Sequence, residues 1–346
     1  MKKIFFALAA LVLAFTGCSQ EEDAIQVSEK KAVKVVVNMD RPDFGEDTRA
    51  PRQGWEEGDE VVVNFGSPMF CLKLIYNGGA WTTETWVDEE YDGGTYTKGD
   101  SDTLGEILAD FFSEDEEEDE RSAPVSAVYF SSGVTEISWG PLTRAVTHGI
   151  NIETNASTAT HGECIMTCED GTGTIKRTVD GYELILNITM IPRVAQFTIR
   201  DLQLTHIDDS RFIAIDGPVN MYAGGSIKMS GTILLNNWTE ENESVGAFAH
   251  QNSDGISFYA VPWSSNEDMP TWLREWYEED KGIDLSTETD LYKSVEYEVW
   301  FNKPNGTSLL RNFGTNTVEI GDAVIMDGPY TEDEDGNKTT GAQEWI

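Results

Sequence analysis

The sequence predicts an all-β protein of β-sandwich type with short peripheral helices, and three features point that way. Apolar residues mostly alternate along the chain, clusters of Gly, Asn, Asp and Ser interrupt them at short intervals, and no strand–helix alternation of the βαβ kind occurs. Val33, Val35, Val37 and Met39 fall on one face of a first strand over 31–41, with Lys34 and Asn38 on the other. Further strands are predicted over 61–65, 70–76, 125–130, 182–190, 194–204, 226–235, 256–261, 295–301 and 317–326. A chain of 346 residues exceeds what one hydrophobic core usually serves, so two domains are expected.

Two short helices break the pattern. Thr103 and Glu106 have capping-box spacing, and Leu104, Ile107, Leu108, Phe111 and Phe112 recur at helical intervals, a face suited to packing on one sheet. Pro270 stands where a first helical turn tolerates it, Trp272, Leu273, Trp276 and Tyr277 form a stripe, and Gly282 can close the helix. That stripe reads as a face covering a sheet edge, with a carbohydrate-stacking platform as the alternative.

The amino-terminal residues predict the compartment. Met1-Lys2-Lys3 supplies a positive start, Ile4 to Phe15 is an almost unbroken apolar run, and Thr16-Gly17-Cys18 follows. A spanning helix needs about 20 apolar residues, more than this run offers. Residues 1–17 therefore read as a secretory signal peptide with a lipoprotein-type cleavage box, and Cys18 as the acylated first residue of the mature chain. The expected location is the outer membrane, lipid-anchored and surface-exposed, with membrane contact through that lipid only. A formal net charge of −38 at pH 7 would repel phosphate backbones, so nucleic acid is not an expected partner.

With Cys18 lipidated, Cys71, Cys164 and Cys168 remain, an odd number that cannot all pair internally. Two sulfurs and two imidazoles from Cys164, Cys168, His148 and His161 could complete a tetrahedral zinc shell. The Cys164–Cys168 spacing fits alternating strand positions equally well, and buried Cys commonly acts as a small apolar residue, so no metal and no cofactor are predicted. The seven acids from Glu114 to Glu120 repel one another and read as a solvated loop, without the glycine turn and spaced ligands of a calcium loop. Thr331 to Asn337 reads likewise as a surface loop. The chain has no nucleophile elbow, zinc-protease helix, phosphate-cradling loop or dinucleotide fingerprint, and none of His148, His161, His206 and His250 lies in a context proposing a nucleophile partner; no enzyme activity is expected.

The stretch Asp47-Thr48-Arg49-Ala50 followed by Gly54-Trp55-Glu56-Glu57-Gly58-Asp59-Glu60-Val61-Val62-Val63, behind a lipoprotein signal and an alternating strand, resembles the amino-terminal region of the fimbrillin family, pilus subunits of anaerobic Gram-negative bacteria. Pro192-Arg193-Val194-Ala195, Phe258-Tyr259-Ala260-Val261-Pro262 and the final Glu344-Trp345 are similar to further landmarks of that family. The resemblance implies two Greek-key, transthyretin-like sandwiches, over 18–180 and 181–346. It also implies cleavage by an Arg-specific surface protease between Arg49 and Ala50, with Arg41 and Arg52 as nearby alternatives. Loss of the strand over 31–41 would leave an unpaired sheet edge and an apolar groove that another pilus subunit fills, building a fimbrium for adhesion. The stretch Ala323-Val324-Ile325-Met326 and the acidic tail depart from the family pattern and alternate poorly, so stalk and tip or accessory roles both stay open. The alternative is a stand-alone glycan-binding lipoprotein using Trp263, Trp272 and Trp276.

Overall fold

The computed structural model describes residues 32–41, 54–65, 70–88, 96–112, 118–131, 133–139, 150–154, 164–200, 212–223, 226–229, 232–236, 247–251, 253, 255–302, 308–315, 318–326, 331–332 and 338–339. Strands dominate, as the alternation predicts. In the first half they are β1 (Ala32–Asp40), β2 (Glu60–Asn64), β3 (Phe70–Asn77), β4 (Ala80–Val87), β5 (Thr97–Lys98), β6 (Glu120–Phe130), β7 (Val134–Trp139), β8 (Ile150–Thr154), β9 (Ile165–Thr178), β10 (Gly181–Thr189) and β11 (Ile191–Pro192). Apart from the β7–β8 hairpin they form one nine-stranded sheet in the order β1-β10-β9-β6-β2-β3-β4-β5, with β11 also on β9.

This sheet curls around its own core. Phe111 meets Phe70 of β3 edge to face at 6.5 Å, while its neighbour Phe112 stacks on Tyr182 of β10 at 5.9 Å. In a flat sheet, β3 and β10 would lie four strand spacings apart, roughly 19 Å. Adjacent residues reach both only because the sheet bends around helix α1 (Thr103–Ala109), which buries Leu104 and Leu108. The expected capping box is replaced by a longer reach: the Asp100 carboxylate accepts from the Thr103 amide at 3.1 Å and its hydroxyl at 2.9 Å, because it precedes the helix in an Asx-type turn.

The second half comprises β12 (Ala195–Arg200), β13 (Phe212–Asp216), β14 (Val219–Ala223), β15 (Ser226–Lys228), β16 (Thr232–Asn236), β17 (Ala247–Phe248), β18 (His250–Gln251), β19 (Gly255–Pro262), β20 (Glu296–Asn302), β21 (Ser308–Thr315) and β22 (Ala323–Met326). One sheet runs β15-β14-β19-β12-β22 and the other β17-β16-β13-β20-β21. Phe197, Ile199, Ile256 and Phe258 of the first sheet share a core with Ile215, Ile233 and Leu235 of the second, which makes a sandwich. Strand β19 is buried throughout: Ile256, Phe258 and Ala260 face that core, while Tyr259 and Val261 join the core of the curled sheet. A strand buried on both faces carries apolar residues on both, and here Ser257 is the one polar side chain in the run. The hairpin strands Thr331–Glu332 and Lys338–Thr339 follow β22.

Several sequence expectations shift. Strand β10, expected to head the second domain, belongs to the first sheet, and the change from one sheet to the next falls between Pro192 and Ala195. Strands β4 and β9 carry too much Thr or Gly for simple alternation to reveal them. The acidic run ends inside a strand, since Glu120 opens β6 and pairs with Lys176 at 3.0 Å. Among the described residues no helix is long and apolar enough to cross a membrane.

Candidate functional site

The candidate site is the groove holding β1. This strand lies at one edge of the curled sheet and pairs in parallel with β10, from Ala32 opposite Gly181 to Asp40 opposite Thr189. A parallel partner requires a long connection, and no local turn ties β1 to β10. Val33, Val35, Val37 and Met39 are half-buried, pack on the core and lie opposite the buried Tyr182, Leu184, Leu186 and Ile188. Fully burying such a side chain stabilises by roughly 1.5–3 kcal/mol, so the four half-buried ones contribute on the order of 3–6 kcal/mol.

The outer face is held by polar pairs. Lys34 Nζ lies 2.6 Å from Glu183 Oε1, and Asn38 Nδ2 donates to Asn187 Oδ1 at 2.9 Å. The hydrogen bond from Lys34, reinforced by its charge, holds the Glu183 carboxyl below its ordinary value of 4.5. A carboxylate lowered by folding contributes stability that is present above its ordinary value and lost as pH falls through the folded one. Amide protection of β1 is therefore expected to hold at neutral pH and to weaken as pH drops below about 4.5, and Glu183→Gln to flatten that dependence. Hydrogen exchange followed against pH checks this.

At the carboxyl end of β1 the inward series continues with Arg41, whose side chain is only 7% exposed. Its guanidinium carbon lies 5.2 Å from the Trp55 ring centre and 5.7 Å from that of Tyr129. Nη1 donates to the Gly54 carbonyl and stands 3.9 Å from Asp59 Oδ2, while Nε is buried without a hydrogen-bond partner. The turn beneath explains the Trp-Glu-Glu-Gly-Asp spacing. Gly58 takes φ +91°, which side-chain-bearing residues rarely adopt, and this lets Asp59 turn back to accept from the Glu56 amide at 2.8 Å. Asp59 also accepts from the Tyr129 hydroxyl at 3.0 Å, and Trp55 packs edge to face on Trp81 at 5.0 Å and Tyr129 at 5.4 Å. The sequence places Arg41 at the end of the strand over 31–41 and among the alternative cleavage points; its continuation of the 33-35-37-39 series is the local signal of its burial.

Cys18, Arg49, Ala50 and Arg52 lie outside the described residues, as do His148, His161 and His206. Cys164 and Cys168 are both buried in the first core, as is Cys71 on β3, whose thiol burial pushes up. Among the described residues no group of three or more His, Cys, Asp or Glu is placed to hold a metal ion.

The second aromatic candidate divides. Trp263 is buried and donates to the Val219 carbonyl at 3.0 Å, so it is no part of a surface platform. Helix α2 (Thr271–Glu275) continues into a π-helical turn, Trp276–Asp280, and Gly282 closes it at φ +63°. Its packing face is narrower than the expected stripe: Leu273 is buried and Tyr277 packs beside it, whereas Trp272 is 59% and Trp276 39% exposed. Trp272 and Trp276, four residues apart, share one side of the helix, and Leu273 and Tyr277 share the side that packs.

No protein-family model matches the chain, and no curated protein does. Solved structures that align with it include a fimbrial protein from Bacteroides ovatus (10% identity, TM-score 0.29), of which this chain spans only 54% while 91% of its own length is covered. A candidate adhesin from Bacteroides ovatus aligns at 10% identity and TM-score 0.34, over 90% of this chain and 92% of that one. The fimbrial anchor protein Mfa2 from Porphyromonas gingivalis aligns at 8% identity and TM-score 0.24, over 85% and 88%. At these scores the likeness carries no argument about the site.

Proposed function

We propose that this protein is a non-enzymatic subunit of surface fimbriae, exported as an outer-membrane lipoprotein through Cys18 and activated when an Arg-specific protease cuts between Arg49 and Ala50. Cutting there severs β1 from the rest of the chain, and a segment of another subunit takes its place, joining subunits into an adhesive filament. The supporting observation is the edge position of β1, which pairs with β10 and rests half-buried on the core. Removing an edge strand uncovers one row of backbone partners and leaves the inner pairings of the sheet intact. The burial of Arg41 favours Arg49 over it as the cleavage point, since a protease must engage the side chain it recognises. We read the two halves as separate domains of the subunit. Mass spectrometry of the mature amino terminus, before and after Arg-specific proteolysis of cell-surface material, tests the proposal. A new terminus at Ala50 together with oligomers is expected; an acylated Cys18 persisting on assembled filaments would count decisively against it.

A second reading, a glycan-binding lipoprotein, is favoured by one feature. Trp272 and Trp276 line a surface depression of about 500 Å³ with Glu275, Glu279 and Asp280, a set of ring faces beside hydrogen-bond acceptors. Lys281 lies 4.7 Å from the Trp276 ring centre, which leaves Trp272 as the more open face. If this reading holds, Trp272→Ala lowers affinity for an arrayed glycan by about tenfold or more with the fold unchanged. Glycan binding indifferent to that substitution would remove the reading.

A further inference from the structure

We propose that Trp55, Tyr129 and Asp59 form a guanidinium-reading subsite at the end of the β1 groove, filled by Arg41 in the intact chain and by an arginine of the incoming strand after β1 is released. The second half rests on the strand-release reading; the first does not.

The pocket is built independently of its occupant. Asp59 is positioned by the Glu56 amide and the Tyr129 hydroxyl, at 2.8 and 3.0 Å, and Trp55 by its contacts with Trp81 and Tyr129. All these groups lie beyond Arg49 in the chain and stay in place when β1 leaves. With Arg41 in place the Asp59 carboxylate is 5% exposed, so emptying the pocket would leave a carboxylate without its covering cation beside two electron-rich ring faces. Such a site favours a cation strongly and disfavours an apolar or acidic side chain. The Gly54 carbonyl and the flat ring faces suit the planar, multi-donor guanidinium better than an ammonium.

Register identifies the occupant. Val33, Val35, Val37, Met39 and Arg41 share the inward parity, and Asp40 still takes part in the pairing, its carbonyl accepting from the Met190 amide at 3.0 Å. An incoming segment running parallel to β10 is thus read as four alternate apolar residues followed, two positions on, by arginine. The apolar positions supply burial, and the arginine sets register, because a slip by one residue turns the whole series outward.

Chemical rescue in the full chain tests the pocket. Arg41→Ala is titrated with n-propylguanidinium at low millimolar concentration and its thermal midpoint recorded. A saturable rise is expected in Arg41→Ala, little in the parent chain and none in Arg41→Ala/Asp59→Asn. Equal responses in the parent and Arg41→Ala, or no response from a folded Arg41→Ala chain, would overturn the proposal. If Arg41→Ala does not fold, refolding yield with and without the probe gives the same readout. The protease-cleaved chain is then offered a peptide of residues 32–41 and its counterpart with alanine for arginine. Loss of about tenfold or more in affinity, equal to about 1.4 kcal/mol, is expected; equal affinities would overturn the exchange half. Failure of the chain to be cleaved at all would tell against strand release, and the rescue alone then judges the pocket.

Discussion

A chain carrying Arg49→Gln is expected to come through treatment with an Arg-specific protease with β1 still attached and to remain monomeric, while the parent chain loses β1 and forms oligomers. The effect should be close to all-or-none when Arg52, the neighbouring arginine, is replaced as well, because the enzyme requires the guanidinium in its own pocket. Arg41→Gln provides the contrast. Arg41 is packed between Trp55 and Tyr129, so its loss should leave the cut near Arg49 in place and loosen the end of β1. Amino-terminal sequencing together with size-exclusion chromatography separates the outcomes. Oligomers forming equally from the Arg49→Gln chain would mean that assembly does not depend on this cut.

Gly181→Val is expected to expel the start of β1 without any protease. Gly181 holds φ +150°, and a Cβ built on it falls 2.0 Å from the Ala32 carbonyl oxygen and 2.7 Å from the Ala32 nitrogen. No rotamer relieves a clash that involves backbone on both sides, so either β1 or the β9–β10 turn has to move. The turn is the better held, since β10 pairs with β9 along its length from Gly181 opposite Thr178 to Asn187 opposite Thr172. Strand β1, at the edge, is therefore the element that yields. Amide protection of Val33 and Val35 should fall by orders of magnitude, and oligomers should appear from uncleaved protein if an open groove suffices for assembly. A cooperative thermal transition in the same sample shows that the rest of the chain remains folded. Unchanged protection of β1 would mean that the strand is held by more than its pairing with β10.

The all-β class and the inward face of β1 were legible because both express themselves locally. Alternation at period two needs no knowledge of partners, and Val33, Val35, Val37 and Met39 pack on the core as their spacing predicts. The Trp55 to Asp59 stretch was visible as a motif, although its reason was not: Gly58 at φ +91° and the Asp59 carboxylate make sense only once Tyr129 is known to stand opposite. The aromatic stripe of α2 splits into a packed pair, Leu273 and Tyr277, and an open pair, Trp272 and Trp276, because the helix offers only one side to its small core and spacing alone does not say which. Strand β9 escaped notice since Gly171 and Gly173 admit close neighbours, with Val125 and Phe65 filling the space a side chain would take.

The sequence by itself determined the alternating strands, the acidic surface charge and the signal-like amino terminus, properties carried by neighbouring residues and by composition. Tertiary structure alone decided that β1 sits at an edge, parallel to a strand 149 residues away, and that Arg41 is enclosed by two rings and a carboxylate. The physical reason is the same for both. Parallel pairing and the desolvation of a charge depend on groups that are distant in the chain and adjacent only after folding, so no local spacing records them.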